Sequence, residues 1–256
     1  MKIASWNVNS LKVRLPQVLQ WLTDNPVEVL CLQETKTTDD KFPVAEIEAA
    51  GFHVAYSGQK TYNGVAILST LPMADVVKNN PFFIDEQQRL LAATIAGIRI
   101  FCAYVPNGQS VGSDKYQYKL AWLDGLHEWL AAELAEHANL AILGDYNVAP
   151  ADRDVHDPVA WAGQVLVSEP EREAFERLLR LGLSDAFRLF EQPERVFSWW
   201  DYRQMGFRRN LGMRIDHILL SAPLADRCTA CVIDKTPRKW EQPSDHTPVI
   251  ATLDRD

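Results

Sequence analysis

Lys2 to Trp6 is a short strand-forming run that ends in Asn7-Val8-Asn9-Ser10. Leu11, Leu15, Val18, Leu19 and Leu22 then recur at helical spacing, with Ser10 placed to cap the helix they predict. Val27-Glu28-Val29-Leu30-Cys31-Leu32 predicts a second strand, which stops at Gln33-Glu34. A strand, a helix and a strand in immediate succession form a β-α-β unit, which commits the chain to an α/β architecture. It also sets Asn7 and Glu34 at the carboxyl ends of neighbouring strands, where ligand sites gather in such sheets.

The pattern returns along the chain. Tyr62-Asn63-Gly64 marks a turn before the strand Val65-Ala66-Ile67-Leu68. Leu90 to Ala96, Gly97, then Ile98 to Val105 predict a hairpin, and Tyr104 comes last on the face of Ile98, Ile100 and Cys102. Tyr116, Leu120, Leu123, His127, Leu130 and Leu134 give a long amphipathic helix, in which His127 reads as packed or surface rather than as a ligand. The strand Leu140-Ala141-Ile142-Leu143 runs into Gly144-Asp145-Tyr146-Asn147. Ala149 to Val167 is a connection without clear period, of a length that often accompanies function. Ser168-Glu169-Pro170-Glu171 resembles a capping box, and the helix it opens closes at Gly182. Arg214 to Leu220 is a strand with a polar start, and Ser244-Asp245-His246-Thr247-Pro248 leads into the strand Val249 to Leu253. No repeat, low-complexity tract or linker divides residues 1–256, so one domain is expected.

Composition narrows the class. The 256 residues suit one large domain, and 47% hydrophobic residues supply a substantial core. No apolar run reaches the ~20 residues of a membrane helix. The N-terminus carries no signal-peptide apolar region, and a soluble cytoplasmic protein is expected. The net charge of −8 argues only weakly against nucleic acid, because local charge decides and a carboxylate site adds to the excess. Cys31 and Cys102 read as core residues. Cys228 and Cys231 lack a second close pair and read as reduced thiols rather than a zinc site.

Asn7, Glu34, Asp145, Asn147, Asp216 and the Asp245-His246 pair all stand where an apolar strand starts or stops. Each has an ordinary explanation alone, as a cap, a turn residue or a solvated charge. Their joint placement predicts a site of carboxylates and carboxamides with one histidine. Oxygen ligands suit Mg²⁺, with Mn²⁺ the other ion such a set accepts. A metal there neutralises phosphate oxygens, an adjacent Asp aligns and deprotonates a water, and Asn147 and Tyr104 donate to the phosphate. The reaction such a set supports is metal-assisted phosphodiester hydrolysis, with Asp145, Asp216 and His246 as competing candidates for the proton acceptor.

Motifs in order along nearly the whole chain resemble the exonuclease III family of DNA-repair nucleases, in the endonuclease/exonuclease/phosphatase superfamily. They are Trp6-Asn7-Val8-Asn9, Leu32-Gln33-Glu34, Tyr62-Asn63-Gly64-Val65-Ala66, Tyr104-Val105-Pro106-Asn107-Gly108, Gly144-Asp145-Tyr146-Asn147-Val148-Ala149-Pro150, Trp199-Trp200-Asp201-Tyr202-Arg203, Arg214-Ile215-Asp216 and Pro243-Ser244-Asp245-His246. The resemblance implies a four-layer α/β/β/α sandwich of two mixed sheets flanked by helices. It implies that Glu34 binds Mg²⁺ with Asn7 in the same network, and that Asp145 and Asn147 position the attacking water and the scissile phosphate, Asp145 also touching metal. Tyr104 would contact the phosphate or the leaving group. Asp216 would orient His246, which binds phosphate or transfers a proton, and Asp245 would complete the metal network. Trp199, Met213 and Ile215 match the wall of a pocket for a flipped-out abasic sugar, with Met213 where some relatives carry tryptophan.

Aromatic and basic residues interleave from Trp199 to Arg209, a pattern that stacks on bases while Arg203, Arg208 and Arg209 meet phosphates. Lys60, Lys115 and Lys119 are further candidates for DNA contact. The expected function is a Mg²⁺-dependent 3′-to-5′ exonuclease on double-stranded DNA that also removes 3′-blocking groups and incises abasic sites, acting as a monomer in the bacterial cytoplasm. Alternatives are a 3′-end exonuclease and 3′-phosphatase without abasic cleavage, a lipid phosphodiesterase or phosphatase of the same superfamily, and a non-catalytic DNA-binding protein.

Overall fold

A computed structural model describes residues 1–254. Its first sheet is built from β1 (Lys2–Asn7), β2 (Val29–Gln33), β3 (His53–Ser57) and β4 (Val65–Ser69), joined later by β13 (Cys228–Ile233) and β14 (Val249–Leu253). The second contains β5 (Met73–Lys78), β6 (Leu90–Ile95), β7 (Ile98–Tyr104), β8 (Leu140–Asp145), β9 (Leu183–Asp185) and β12 (Asp216–Ser221). The strand orders are β13-β14-β1-β2-β4-β3 and β5-β6-β7-β8-β12-β9, with β10 (Trp199–Trp200) and β11 (Gly212–Met213) forming a separate ribbon. Helices α1 (Leu11–Asp24), α2 (Val44–Ala49), α3 (Asp114–Glu136), α4 (Pro158–Trp161), α5 (Glu169–Leu179) and α6 (Ala222–Asp226) complete the described elements of α type.

Side-chain alternation makes four layers of this. Inward-facing Ile3, Val29, Cys31 and Ile67 of the first sheet meet Leu91, Ile100, Cys102, Leu143 and Ile218 of the second in one buried core. On the outer face of the first sheet, Trp6, Leu30 and Leu68 pack under Val18, Trp21 and Ile47 from α1 and α2. On that of the second, Phe101, Ile142 and Leu219 pack under Trp122, Leu126 and Phe175 from α3 and α5. The α/β/β/α sandwich expected from the resemblance is therefore the architecture. The β6–β7 hairpin forms as predicted. Ala96 and Gly97 sit at φ 48° and 77°, the left-handed backbone that a two-residue hairpin loop needs. Ser10 stands at the start of α1 but its side chain makes no capping bond; its backbone N–H instead donates to Glu34 O at 2.8 Å. The predicted cap at Ser168 forms, with Glu171 accepting from Ser168 N at 3.1 Å and Ser168 Oγ at 2.6 Å.

Register brings the polar strand ends to one edge. β1 and β2 run parallel with Asn7 opposite Gln33, one residue before Glu34. β7 and β8 run parallel with Tyr104 opposite Asp145, and antiparallel β12 starts with Asp216 opposite Asp145. β14 lies antiparallel to β1, so the segment holding His246 enters beside the carboxyl end of β1. Parallel pairing sends both carboxyl ends of a pair to the same side, and an antiparallel neighbour contributes its first residue there.

Candidate active site

Asn7 bridges the two sheets. Its Nδ2 donates to Glu34 Oε1 and to Asp145 Oδ2, each at 2.9 Å. Tyr104 Oη donates to the same Glu34 Oε1 at 2.9 Å. His246 Nδ1 lies 2.9 and 3.1 Å from the two oxygens of Asp216, and its Nε2 faces Asp145 Oδ2 at 3.6 Å. Ligand atoms of Glu34, Asp145 and His246 lie within 4.8 Å of one another.

Burial and charge set the protonation. Burial alone would lower His246, but the carboxylates of Asp216 and Asp145 hold its second proton and raise it to about 10. Burial pushes the Asp145 carboxyl up to about 7, with His246 pulling it down and Asp216 adding to the rise. For Glu34 the penalty of burial is outweighed by Lys36 and Asn7, and it stays below the usual carboxylate range. Burial and then the charges of Glu34 and Asp145 push the Tyr104 phenol well above its ordinary value, so it remains a donor.

Several of these residues sit in backbone that side chains disfavour. Glu34 (φ 53°), Lys36 (φ 52°), Asn9 (φ 44°) and Asn147 (φ 48°) are all left-handed, the kind of strain that collects at functional sites. The turn at Gly64 supports the first pair: Thr35 N and Lys36 N donate to Gly64 O and Asn63 O. A Cβ on Gly64 would lie 2.1 Å from Thr35 Oγ1.

The expected residues fall into three groups. Asn7, Glu34, Tyr104, Asp145, Asp216 and His246 come together as described. Asn147 lies beside them, with N–H to Asp145 Oδ1 at 2.9 Å, Nδ2 to Val105 O at 3.0 Å and Oδ1 accepting from Asn107 at 3.2 Å. Lys60, Lys115, Arg203, Arg208 and Arg209 are exposed, and Trp199 is half-buried.

Two expectations of DNA contact are corrected, at Lys119 and at Met213 with Ile215. Lys119 does not face solvent: it is 0% exposed, paired to Glu171 and bonded to Asn147 O and Asn107 O at 2.6 and 3.1 Å. Asp245 accepts from Asn9 Nδ2 and Trp199 Nε1, each at 3.0 Å, and reaches Glu34 through Asn9 and Lys36. Met213 and Ile215 are 0% and 1% exposed, packed with Ala149, Val155 and Leu166, and present no open wall. Trp200, for which the sequence leaves core and DNA contact equally open, is core, with Nε1 donating to Asn210 Oδ1 at 3.0 Å.

Sequence reasoning missed Lys36, whose Nζ lies 2.8 Å from Glu34 Oε2 and 2.6 Å from Asn9 Oδ1. It also missed Arg89, stacked over the Tyr104 ring with the guanidinium carbon 4.7 Å from its centroid. The only signal for Lys36 was its place two residues after Glu34. Arg89 precedes its strand with no pattern around it. Arg89, Lys115, Asn107 and Tyr118 line a groove of about 820 Å³ that opens at Tyr104. A smaller cavity of about 250 Å³ is lined by His156, Trp161, Trp199 and Arg203.

Two sheets meeting face to face, with a buried acid–amide–histidine cluster at their shared edge, match a known family model over residues 4–246. The chain belongs to the Endonuclease/Exonuclease/phosphatase family. Among its relatives, exodeoxyribonuclease III of Haemophilus influenzae is 34% identical over 264 residues, covering 98% of this chain and 99% of that one. The 3′ phosphatase NExo from Neisseria, solved bound to a product DNA hairpin, superposes with a TM-score of 0.98 at 45% identity over 100% of both chains. An AP endonuclease from Archaeoglobus fulgidus superposes at 0.95 with 41% identity, again over 100% of both.

Proposed function

We propose that the protein is a Mg²⁺-dependent DNA-repair phosphodiesterase that degrades double-stranded DNA from 3′ ends, removes 3′-blocking groups and incises abasic sites. The observation that carries this reading is the Glu34–Asp145–His246 cluster, joined through the Tyr104–Glu34 hydrogen bond to a groove that Tyr104 lines with Arg89 and Lys115. The full-length likeness to an exodeoxyribonuclease III, a 3′ phosphatase and an AP endonuclease supports the substrate class.

The donor set fits a hard cation: the carboxylates of Glu34 and Asp145 lie together, both held by the Asn7 amide. Glu34 and Asp145 would hold Mg²⁺, with Asn7 fixing the angle between them. The ion, when bound, supplies charge neutralisation at the phosphate oxygens. The protein's own groups do the rest. Protonated His246, steadied by Asp216, meets a phosphate oxygen. Tyr104 donates its phenol hydrogen. Asp145 takes the proton from water, because Asp216 is spent on His246 and His246 already carries its second proton. Trp199, Arg203, Arg208 and Arg209 hold the duplex, while Lys115 in the groove and the exposed Lys60 meet its backbone.

One observation favours a narrower reading, 3′-end processing without abasic incision: Met213 and Ile215 are packed shut where a flipped sugar would enter. Duplexes bearing a 3′-phosphate, a blunt end, a recessed end or an internal abasic analogue separate the two, assayed with Mg²⁺ and with EDTA. Cleavage of all but the abasic duplex supports the narrower reading. Hydrolysis of a phosphoinositide but no duplex would sink both. Asp145→Asn should lower turnover by at least three orders of magnitude, by analogy with loss of a general base and its electrostatic role, with an unchanged circular dichroism spectrum.

A further inference from the structure

We infer that Lys119 is a positioning residue for the hydrolytic site, acting through the backbone of Asn147 and resting on the function proposed above. Its ammonium is fully buried on α3, between the exits of β7 and β8 and the start of α5. It donates to Asn147 O at 2.6 Å, where β8 exits, and to Asn107 O at 3.1 Å, where β7 exits. Its third partner is the Glu171 carboxylate on α5. Glu171 in turn accepts from Leu166 N at 3.0 Å and from Ser168, whose hydroxyl meets Tyr116 Oη at 2.7 Å. One ammonium therefore uses all three donors, two on carbonyls at the strand exits beside the site and one on a buried carboxylate, none on water.

The carbonyl of Asn147 is the contact that matters. Asn147 is left-handed, its N–H donates back to Asp145 Oδ1, and its carboxamide is clamped between Val105 O and Asn107 Nδ2. A peptide in that conformation can turn over unless its carbonyl is held. Buried as it is, the carbonyl has to be paired, and Lys119 is its partner. Because Asn107 offers its carbonyl to Lys119 and its amide to Asn147, the ammonium fixes the peptide and the side-chain amide together. A staple between α3 and α5 alone would need neither carbonyl contact. Buried ion pairs cost desolvation and add little net stability, so retaining one here is better explained by geometry than by strength.

The test uses Lys119→Met/Glu171→Gln, which removes both charges and so leaves no uncompensated ion. Turnover on a duplex with a 3′-phosphate should fall about 100-fold, with KM and duplex Kd within twofold and the melting temperature within a few degrees of wild type. Lys119→Gln/Glu171→Gln, which can still donate to one carbonyl, should recover about tenfold of that loss. If the Met variant does not fold, the Gln variant is read by itself, and about a tenfold lower kcat at constant KM is expected. Wild-type kcat in a folded variant, or a fall in melting temperature with kcat per folded molecule unchanged, overturns the inference and leaves a structural staple. Wild-type protein that cleaves no duplex in Mg²⁺ overturns the functional reading instead.

Discussion

Asp245 and His246 are adjacent in sequence, yet they serve different parts of the site. The backbone turns between them, so His246 points inward to Asp216 while Asp245 faces Asn9 and the indole of Trp199. Asp245→Ala should therefore free the ring and weaken duplex binding by severalfold, without changing the Mg²⁺ concentration that gives half-maximal activity. A tenfold rise in that concentration would return Asp245 to the cation site. Lys36 shows the converse. It contributes a charge that holds Glu34 ionised, although nothing about an isolated lysine in a loop marks it.

At the scale of an element, β8 carries the most consequence. It lies between β7 and β12, and it delivers Asp145 opposite both Tyr104 and Asp216. Gly144, one residue earlier, stands opposite Ala103 of β7, and a Cβ there would sit 1.9 Å from Ala103 O. The nearest atoms are all Ala103 backbone, which leaves no flexible group to yield. Gly144→Ala should destabilise the protein by on the order of 3 kcal/mol, read from urea midpoints. It should also depress kcat more than KM, because Asp145 shifts with the strand. Wild-type stability and kcat together would show that the two strands separate at little cost. The hairpin before it needs no such help, since Ala96-Gly97 and alternating apolar residues specify it locally.

For the whole molecule, the buried network under the site ties stability to pH. Arg214 bonds Asp154 and Asp185 and donates to His217 Nδ1 at 2.9 Å, while His217 Nε2 lies 2.8 Å from Val148 O. Burial first, then the Arg214 charge, push His217 down to about 4. The unfolded chain binds this proton more readily than the native one. Stability is therefore whole above about pH 6.5, the ordinary histidine value, and declines as pH falls towards 4, by about 3 kcal/mol from this group. Comparing urea midpoints at pH 7 and 4.5 for wild type and His217→Asn checks it. The variant should be weaker at pH 7 but lose less on acidification. Equal losses in both would mean that other groups carry the acid sensitivity.

Residue pattern by itself determined many of the elements, and the ordered motifs carried the resemblance to the family. Periods of two and 3.6 are local, and they placed β1, α1, β2, the β6–β7 hairpin, α3, β8 and β14 within a residue or two of where they stand. It also named the carboxylates, carboxamide and histidine that meet, because each interrupts an apolar strand at its end. What tertiary structure decided was which side chain faces which neighbour. Lys119 and Arg208 are both plain cations in the sequence, but one is sealed under α5 and the other lies in solvent. Met213 and Ile215 fill the space beside Trp199, and the Glu34 backbone is left-handed, only because segments far apart in the chain press on them. Burial and strain of that kind come from packing between distant segments, and no local period records them.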